Sequence, residues 1–551
     1  MIEPRWDIMI PLVGYLLVII VIGWWSGKKV KTTDDYYIGG YQIPGWVLAL
    51  SERSTDMSAW LLIGMPAMAW ATGLSAIWIL VGTGAGMVLQ WIFYSKKFME
   101  EKRRTGAITP NDYIAKRFPG GADGIRIVGA LVVFLFYIPY VGAQFGAGGT
   151  VLEQMFGLDP LYGTLIVAGV VAYIAVAGAM LTASYTDAVQ ALMMVVTLIV
   201  LPLILFSIVV ADPDMAIMAS LEGIEYEGVA LGEWFGGREG AAVGLLFGVN
   251  LSWIWGYFGG QPHIFVRMMA LRNESDRKKG MAVAFVWGLL TSTGAFLIGI
   301  LARVIHGAPA DLVENSEMTL PYMVLEHTPG WLGGLLLAGA LAAMMSTADS
   351  QLAVASSGWA EDLYAKVLKK DVKINEKRKV MISRLTSASI AILGLILILS
   401  TEELIYEVVG WGWAGLAGVY GPVMTLIFLG WKRYSKNAVI FTMVVGLLFT
   451  AIWVFSDLET RIVTARLISW PVGLLAGIIG GFIWPSEDFK KGEQMIEEEE
   501  YDEEDFEDEF EEEDLDDDLE EEEELFEGEE EYGEEDFEDE FEEEDEELDE
   551  F

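Results

Sequence analysis

Ser346 and Thr347 follow Ala343 by three and four residues in the run LAGALAAMMSTADSQLAVASS. That spacing puts all three on one face of a helix. Two hydroxyls, joined by carbonyls freed from a broken helix, make an all-oxygen site. Such a site suits a hard alkali cation that must be released again, whereas a divalent ion favours a cage of carboxylates. The same residue types also bond to their own i−4 carbonyl or join helices together, and the spacing fits that use equally. A second cluster, Ser51, Glu52, Arg53, Ser54, Thr55 and Asp56, interrupts the run WVLALSERSTDMSAW. Its three ionisable groups are too costly to face lipid and so must point into the protein. In NLSWIWGYFGGQPHIFVRMM, Trp253 and Tyr257 stand one turn apart ahead of Gly259, Gly260, Gln261 and Pro262. Glycine and proline there disrupt a helix.

Other chemistries are excluded. With no Cys there is no disulfide framework, thiolate metal site or catalytic thiol. The three His, at 263, 306 and 327, are not spaced as a metal motif. No nucleophile–base set or phosphate loop is present, so the chain does not read as an enzyme.

These clusters sit in a strongly apolar chain. A bilayer crossing needs roughly 20 mostly apolar residues. Thirteen runs qualify, near 8–25, 42–72, 75–95, 126–150, 161–182, 187–210, 241–266, 280–304, 331–364, 382–400, 404–430, 437–456 and 465–484. The second, seventh and ninth are long or interrupted. Backbone inside a bilayer must satisfy its own hydrogen bonds, so a broken helix survives only against protein or a water-filled cavity. Two broken helices five spans apart suit a five-plus-five inverted repeat with its substrate near the midplane. The sequence therefore predicts an all-α membrane protein with thirteen transmembrane helices and two broken helices. The first run has neither a preceding basic region nor a small-residue cleavage site, and reads as a retained span.

The connections give an orientation. If the N-terminus lies outside, 29 of the 35 Lys and Arg residues fall in the cytoplasmic connections. The C-terminus is then cytoplasmic. The exceptions are Arg5, Arg53, Arg238, Arg303, Arg461 and Arg466. Two long outer connections remain, 211–240 and 305–330, and a short helix lying over the outer face fits the second.

The formal net charge is −45, from 80 acidic and 35 basic residues. Forty-two of the acids lie after Lys491, where there is no Lys or Arg. The remainder is nearly neutral. The segment EEDFEDEFEEED occurs twice, at 503–514 and 534–545. Like-charge repulsion at this density predicts a disordered tail, and the same charge repels nucleic acid. Regularly spaced aromatics in the tail, including Phe506, Phe510, Phe537 and Phe541, offer a short motif to a cytosolic partner. A merely solvating appendage is the alternative.

The segments SERSTDMSAWLLIGMP (51–66), AITPNDYIAKRF (107–118), SYTDAVQALMM (184–194), WGYFGGQPHI (255–264) and MMSTADSQLAVASSGWAEDLY (344–364) resemble the sodium:solute symporter family, and within it the members that carry proline. The resemblance covers roughly residues 7–485. It implies thirteen spans with a LeuT-type core and sodium-coupled import of L-proline into the cell across the plasma membrane. The expected organisation is 1–40 as first span and loop, 41–432 as transporter core, 433–485 as the last two spans and 493–551 as the tail. The resemblance implies that Na+ meets backbone oxygens of Ser54, Met57 and Ala343 and the hydroxyls of Ser346 and Thr347. Asp56 matches a residue of sodium coupling and Asp187 one on the sodium exit route; each also reads as a helix cap. Proline would meet Trp60, Tyr140, Trp253, Tyr257, Gln261 and Pro262, with aromatic walls favouring its ammonium. His263 reads as structural. Glu52, Arg53 and the additional glycine in FGGQP depart from the proline-carrying pattern. They leave open another small solute (a different amino acid, a carboxylate or a vitamin). A transporter-like sensor is the remaining alternative.

Overall fold

The computed structural model describes residues 6–212, 225–370, 372, 374–401, 405–456 and 458–487. The acidic tail lies outside the described residues. Eleven helical segments among those described are long and apolar enough to cross a membrane. Two are too long for one straight crossing. At about 1.5 Å per residue, the 61 residues of Gly45–Thr105 would run roughly three times the ~30 Å hydrocarbon core. The chain leaves helical geometry inside that segment at Ser58 (φ 40°, ψ −165°) and at Gly73 (φ 61°, ψ −143°). The 52-residue segment Pro160–Ala211 breaks at Gly178 and Ala179 (φ 40°, ψ −122°).

The first interruption falls later than its charged residues suggest. Gly45–Ala59 carries Ser51 through Asp56 within regular helix, and the backbone departs only at Ser58. A wide π-type turn, Trp60–Gly64, then leads into Met65–Thr72. The second interruption lies where Gly259 and Pro262 require it. Ala241–Leu251 and Ile254–Tyr257 precede it and Pro262–Met269 follows. Gly259 has φ 75°, and a Cβ there would stand 2.6 Å from Met424 Cβ. Pro262 begins its helix, where its missing N–H costs nothing. The ninth predicted span is not interrupted: Gly330–Ser357 passes into the wide turn Gly358–Leu368 without a break.

Helix starts follow local capping chemistry. Thr109, Asn273, Asn375 and Ser435 each accept a backbone N–H from the first turn of the helix they precede. The long connection 305–330 carries Ala310–Glu314 and Thr319–His327. A small antiparallel hairpin pairs Glu225–Tyr226 with Val229–Ala230.

Large apolar side chains divide between two surroundings. Trp60, Trp70, Trp91, Trp253 and Trp413 are fully buried. Ile10, Leu203, Leu289 and Ile452 are strongly exposed on the long apolar helices, as suits a chain solvated by lipid. Buried Arg53, Arg267, Arg303 and Arg466 break the simple reading of basic residues as connection markers.

Glu274–His306 packs closely on Pro160–Ala211 because glycine allows it. A Cβ on Gly294 would lie 1.8 Å from the carbonyl oxygen of Leu198. Gly294→Ala is therefore expected to destabilise the detergent-purified protein by about 1–3 kcal/mol or more. Gly14→Ala, whose Cβ meets nothing within 4 Å, serves as the control. A thermal midpoint for Gly294→Ala equal to that of Gly14→Ala would contradict this packing.

Candidate functional site

The first broken helix meets Gly330–Ser357 through hydroxyls and carbonyls. Ser346 Oγ lies 3.0 Å from the carbonyl oxygen of Ser54 and 3.0 Å from that of Ala343. Thr347 Oγ1 lies 2.8 Å from the oxygen of Thr55 and 3.1 Å from that of Ala343. The contacts to Ala343 are the i−3 and i−4 back-bonds common for such residues. The contacts to Ser54 and Thr55 cross between helices. Four of the five oxygen-bearing residues expected from the sequence thus converge, together with Thr55, which was not expected. Met57 stands apart from them, its carbonyl accepting the N–H of Trp60.

The backbone freed by the break finds partners in side chains. The N–H of Ala59 donates to Gln144 Oε1 at 2.9 Å. The N–H of Trp60 donates to Ser58 Oγ at 3.3 Å, so Ser58 begins the second half-helix much as a cap does. Trp60 Nε1 returns to the carbonyl of Asp56 at 3.2 Å.

Two buried charge clusters flank this junction. In the first, Arg53 Nε donates to Glu52 Oε2 at 2.6 Å, and a second, shorter contact joins Arg53 Nη2 to Glu52 Oε1. Arg53 Nη1 lies 3.0 Å from Asp56 Oδ2, which also accepts the Tyr257 hydroxyl at 2.8 Å. Glu52 further accepts from Trp91 Nε1 at 3.2 Å and Gln90 Nε2 at 3.4 Å. In the second, Arg267 Nη2 lies 2.8 Å from Asp187 Oδ2 and 2.5 Å from Ser350 Oγ. Arg267 Nε donates to Ser51 Oγ at 2.6 Å, and Nη1 donates to the His263 carbonyl at 2.5 Å. Ser51 Oγ donates to Asp187 Oδ2 at 2.6 Å and Ser350 Oγ to Asp349 Oδ1 at 3.1 Å. Thr55 Oγ1 lies 3.3 Å from Asp187 Oδ2. Thr55 thereby joins the hydroxyl–carbonyl set to the second cluster.

Aromatic rings close the other side of the break. Trp60 and Trp253 stack with centroids 5.4 Å apart at 20°. Trp413 tilts against Trp253 at 5.4 Å and meets Tyr257 edge-on at 5.4 Å. Tyr406 meets Trp253 edge-on at 5.8 Å. The Arg466 guanidinium lies 4.3 Å from the Trp253 ring centre. Gln261 Nε2 donates to the Trp413 carbonyl at 3.0 Å. Trp253 Nε1, Trp413 Nε1 and Gln261 Oε1 are buried without a hydrogen-bond partner among the described residues. Tyr140 packs edge-on to His263 at 6.1 Å and against Gly412, the neighbour of Trp413. His263 Nδ1 bonds to the Tyr137 hydroxyl at 3.0 Å.

The placement corrects three expectations. Asp187 does not cap a helix; it lies inside Pro160–Ala211, past the break at Gly178 and Ala179. Asp56 bonds to side chains of Arg53 and Tyr257 rather than to free backbone N–H groups. Arg267, counted among the cytoplasmic connections, is buried against Asp187. Sequence reasoning missed Gln144, Arg267, Tyr406, Trp413 and Arg466. Arg466 carried a signal, as one of the six basic residues outside the cytoplasmic connections.

Comparison with known proteins follows the same lines. Residues 36–446 match the model of the sodium:solute symporter family. The osmoregulated proline transporter OpuE of Bacillus subtilis is 31% identical over 87% of this chain and 95% of its own. The sodium/proline symporter of Escherichia coli is 32% identical over 80% of this chain and 86% of its own. A solved sodium-coupled sialic acid symporter in its substrate-bound, outward-open state superimposes with a TM-score of 0.69. It covers 87% of this chain and 97% of its own at 19% identity, a likeness of fold.

Removing one member of a buried ion pair strands the other charge, at about 3–5 kcal/mol. Arg267→Ala and Asp187→Ala should each lower the thermal midpoint markedly. The double variant should lose less than the two single losses added together. Strict additivity would show that Arg267 and Asp187 do not interact.

Proposed function

The chain belongs to the sodium:solute symporter family, and from that premise we propose that it imports L-proline, coupled to sodium, by alternating access. Membership makes it a multi-pass membrane transporter of a small molecule, not an enzyme, with Na+ as the co-transported ion. The proposal concerns the substrate, the residues and the topology. Splitting Gly45–Thr105 at Gly73 and Pro160–Ala211 at Gly178 and Ala179 raises eleven spans to thirteen. An odd number puts the termini on opposite sides, and the basic connections favour an outer N-terminus and a cytoplasmic C-terminus. Residues 41–432 form the inverted-repeat core and 433–485 add two spans.

Sodium binds between the first broken helix and Gly330–Ser357, at the carbonyls of Ser54, Met57 and Ala343 and the hydroxyls of Ser346 and Thr347. One observation carries this assignment: both hydroxyls already lie 2.8–3.0 Å from carbonyl oxygens of the facing helix. Met57 lies one turn beyond Ser54, and its carbonyl, which accepts the Trp60 N–H, keeps a second lone pair for the ion. Electrostatics favours a cation here. Each flanking cluster holds two carboxyl groups and one guanidinium, an excess of acid in a buried setting. A bound cation offsets such an excess where water cannot. Asp56 and Asp187 couple the ion to its surroundings, Asp187 through Thr55.

Proline binds beside the break against Trp60, Trp253 and Tyr257, with Gln261, Pro262 and Tyr140 shaping the far wall. The Trp60 and Tyr257 rings offer aromatic surface to the ring and the ammonium, with Trp253 stacked behind Trp60. The unpartnered indole N–H groups of Trp253 and Trp413 are donors for a carboxylate. The two relatives named for proline support this substrate. Sodium tying the two helices favours the outward-open form. Proline then closes the outer side, and inward opening releases both. A potential of 100 mV contributes about 2.3 kcal/mol per sodium ion.

A second reading, transport of another small solute, rests on Glu52 and Arg53. Their pair reaches Tyr257 through Asp56 and so can alter selectivity.

An inward sodium gradient should drive labelled proline into proteoliposomes, and excess unlabelled proline should compete best among small solutes. Ser346→Ala and Thr347→Ala should each raise the half-saturating sodium concentration by about tenfold, some 1.4 kcal/mol. Unchanged sodium dependence in both would overturn the ion site. Stronger competition by another solute would overturn proline.

A further inference from the structure

The chain has three histidines, and the fold brings two of them together. His306 ends the helix Glu274–His306, and His327 ends Thr319–His327. Their Nε2 atoms lie 2.7 Å apart, 21 residues distant in sequence. The rings are 5.0 Å apart at 39°. Tyr322 meets His306 edge-on at 5.3 Å and holds its ring from the side. Both imidazoles are partly exposed. His263, by contrast, is buried and bonded to Tyr137.

Two Nε2 atoms facing each other share one proton when the pair is neutral. The same two lone pairs can instead converge on a metal. Neutral imidazole suits Zn2+ and Cu2+. Bonds of about 2.0–2.1 Å in tetrahedral geometry put the two nitrogens roughly 3.3 Å apart. The rings therefore need to part by only about 0.6 Å, a small rotation for partly exposed side chains at helix ends.

We propose that His306 and His327 form a site for a divalent transition-metal ion, on the face opposite the basic connections, that fastens Thr319–His327 to the end of Glu274–His306. No group of three His, Asp or Glu fit for a metal occurs among the described residues, so water completes the coordination and binding is moderate. The fastening bears on transport because this connection reaches the aromatic wall. Glu317, just ahead of Thr319–His327, accepts the N–H of Tyr406 at 3.1 Å. The Tyr406 ring in turn meets Trp253. A metal that binds only when the two histidines are together favours that conformation by its differential affinity. It slows any cycle in which the connection must move.

Copper and zinc test the two halves of the proposal. Cu2+ bound to the purified full-length protein should show nitrogen coupling in its paramagnetic resonance spectrum. The carboxylates of the tail supply no nitrogen, and His263 is buried. The double variant His306→Gln/His327→Gln should lose that coupling while retaining metal-free uptake, which reports its folding. Zn2+ added to the outer face should inhibit sodium-driven uptake at tens of micromolar, with about tenfold less effect on the double variant. Oxygen-only coordination in the unaltered protein, or identical nitrogen coupling in the double variant, would overturn the site. Nitrogen coupling without zinc inhibition would overturn the fastening and leave the site standing.

Discussion

A peptide group inside hydrocarbon must find its hydrogen-bond partner within the protein. The break at Ser58 turns that requirement into a site. Past Ser54 and Thr55 the helix no longer supplies every partner, so their carbonyls face Ser346 and Thr347 on another helix. On the far side of the break, Gln144 takes the N–H of Ala59. The positive φ of Ser58 is a costly conformation for a residue with a side chain. It persists because neighbouring helices supply these partners. An oxygen-lined junction between two helices is the result, and an alkali ion can exchange with the hydroxyl hydrogens that now bridge it.

Buried charge works alongside the break. Arg53 pairs with Glu52 and with Asp56, which is bonded to Tyr257 of the aromatic wall, and Arg267 pairs with Asp187, which is joined to the junction through Thr55. Taking such charges out of water is expensive unless each is paired. The pairs therefore fix which helices can separate: besides the His263 carbonyl of its own helix, Arg267 contacts residues of three other helical segments, at Ser51, Asp187 and Ser350. Any motion that opens this region must break or carry along that set.

Much of this was legible in the residues. Periodicity put Ala343, Ser346 and Thr347 on one face, and the structure joins them to Ser54. Gly259 and Pro262 marked the second break at its true place. Intramembrane charge signalled that Ser51–Asp56 must point into the protein, where the structure buries and pairs them, but misplaced the break by a few residues. Ser58 is no helix breaker by type; only the partners offered by Gln144 and its own hydroxyl let the backbone turn there. Arg267 was assigned to a connection because basic residues near a span end usually mark the cytoplasmic side, whereas pairing with Asp187 draws it inward. Trp413, Tyr406 and Gln144 carried no local signal, since their roles arise from contacts more than eighty residues away in sequence. The meeting of His306 and His327, 21 residues apart, was hidden because it depends on how the connection between two helices folds back.

The central claim is that one junction couples ion to substrate. Coupling free energy between two sites is reciprocal. Equilibrium binding of proline should therefore be measured across a series of sodium concentrations, and of sodium across a series of proline concentrations, on the purified protein. The account predicts that each ligand tightens the other by the same factor, and that Ser346→Ala weakens both effects together. A proline affinity that does not change between sodium-free and sodium-saturated conditions would contradict it.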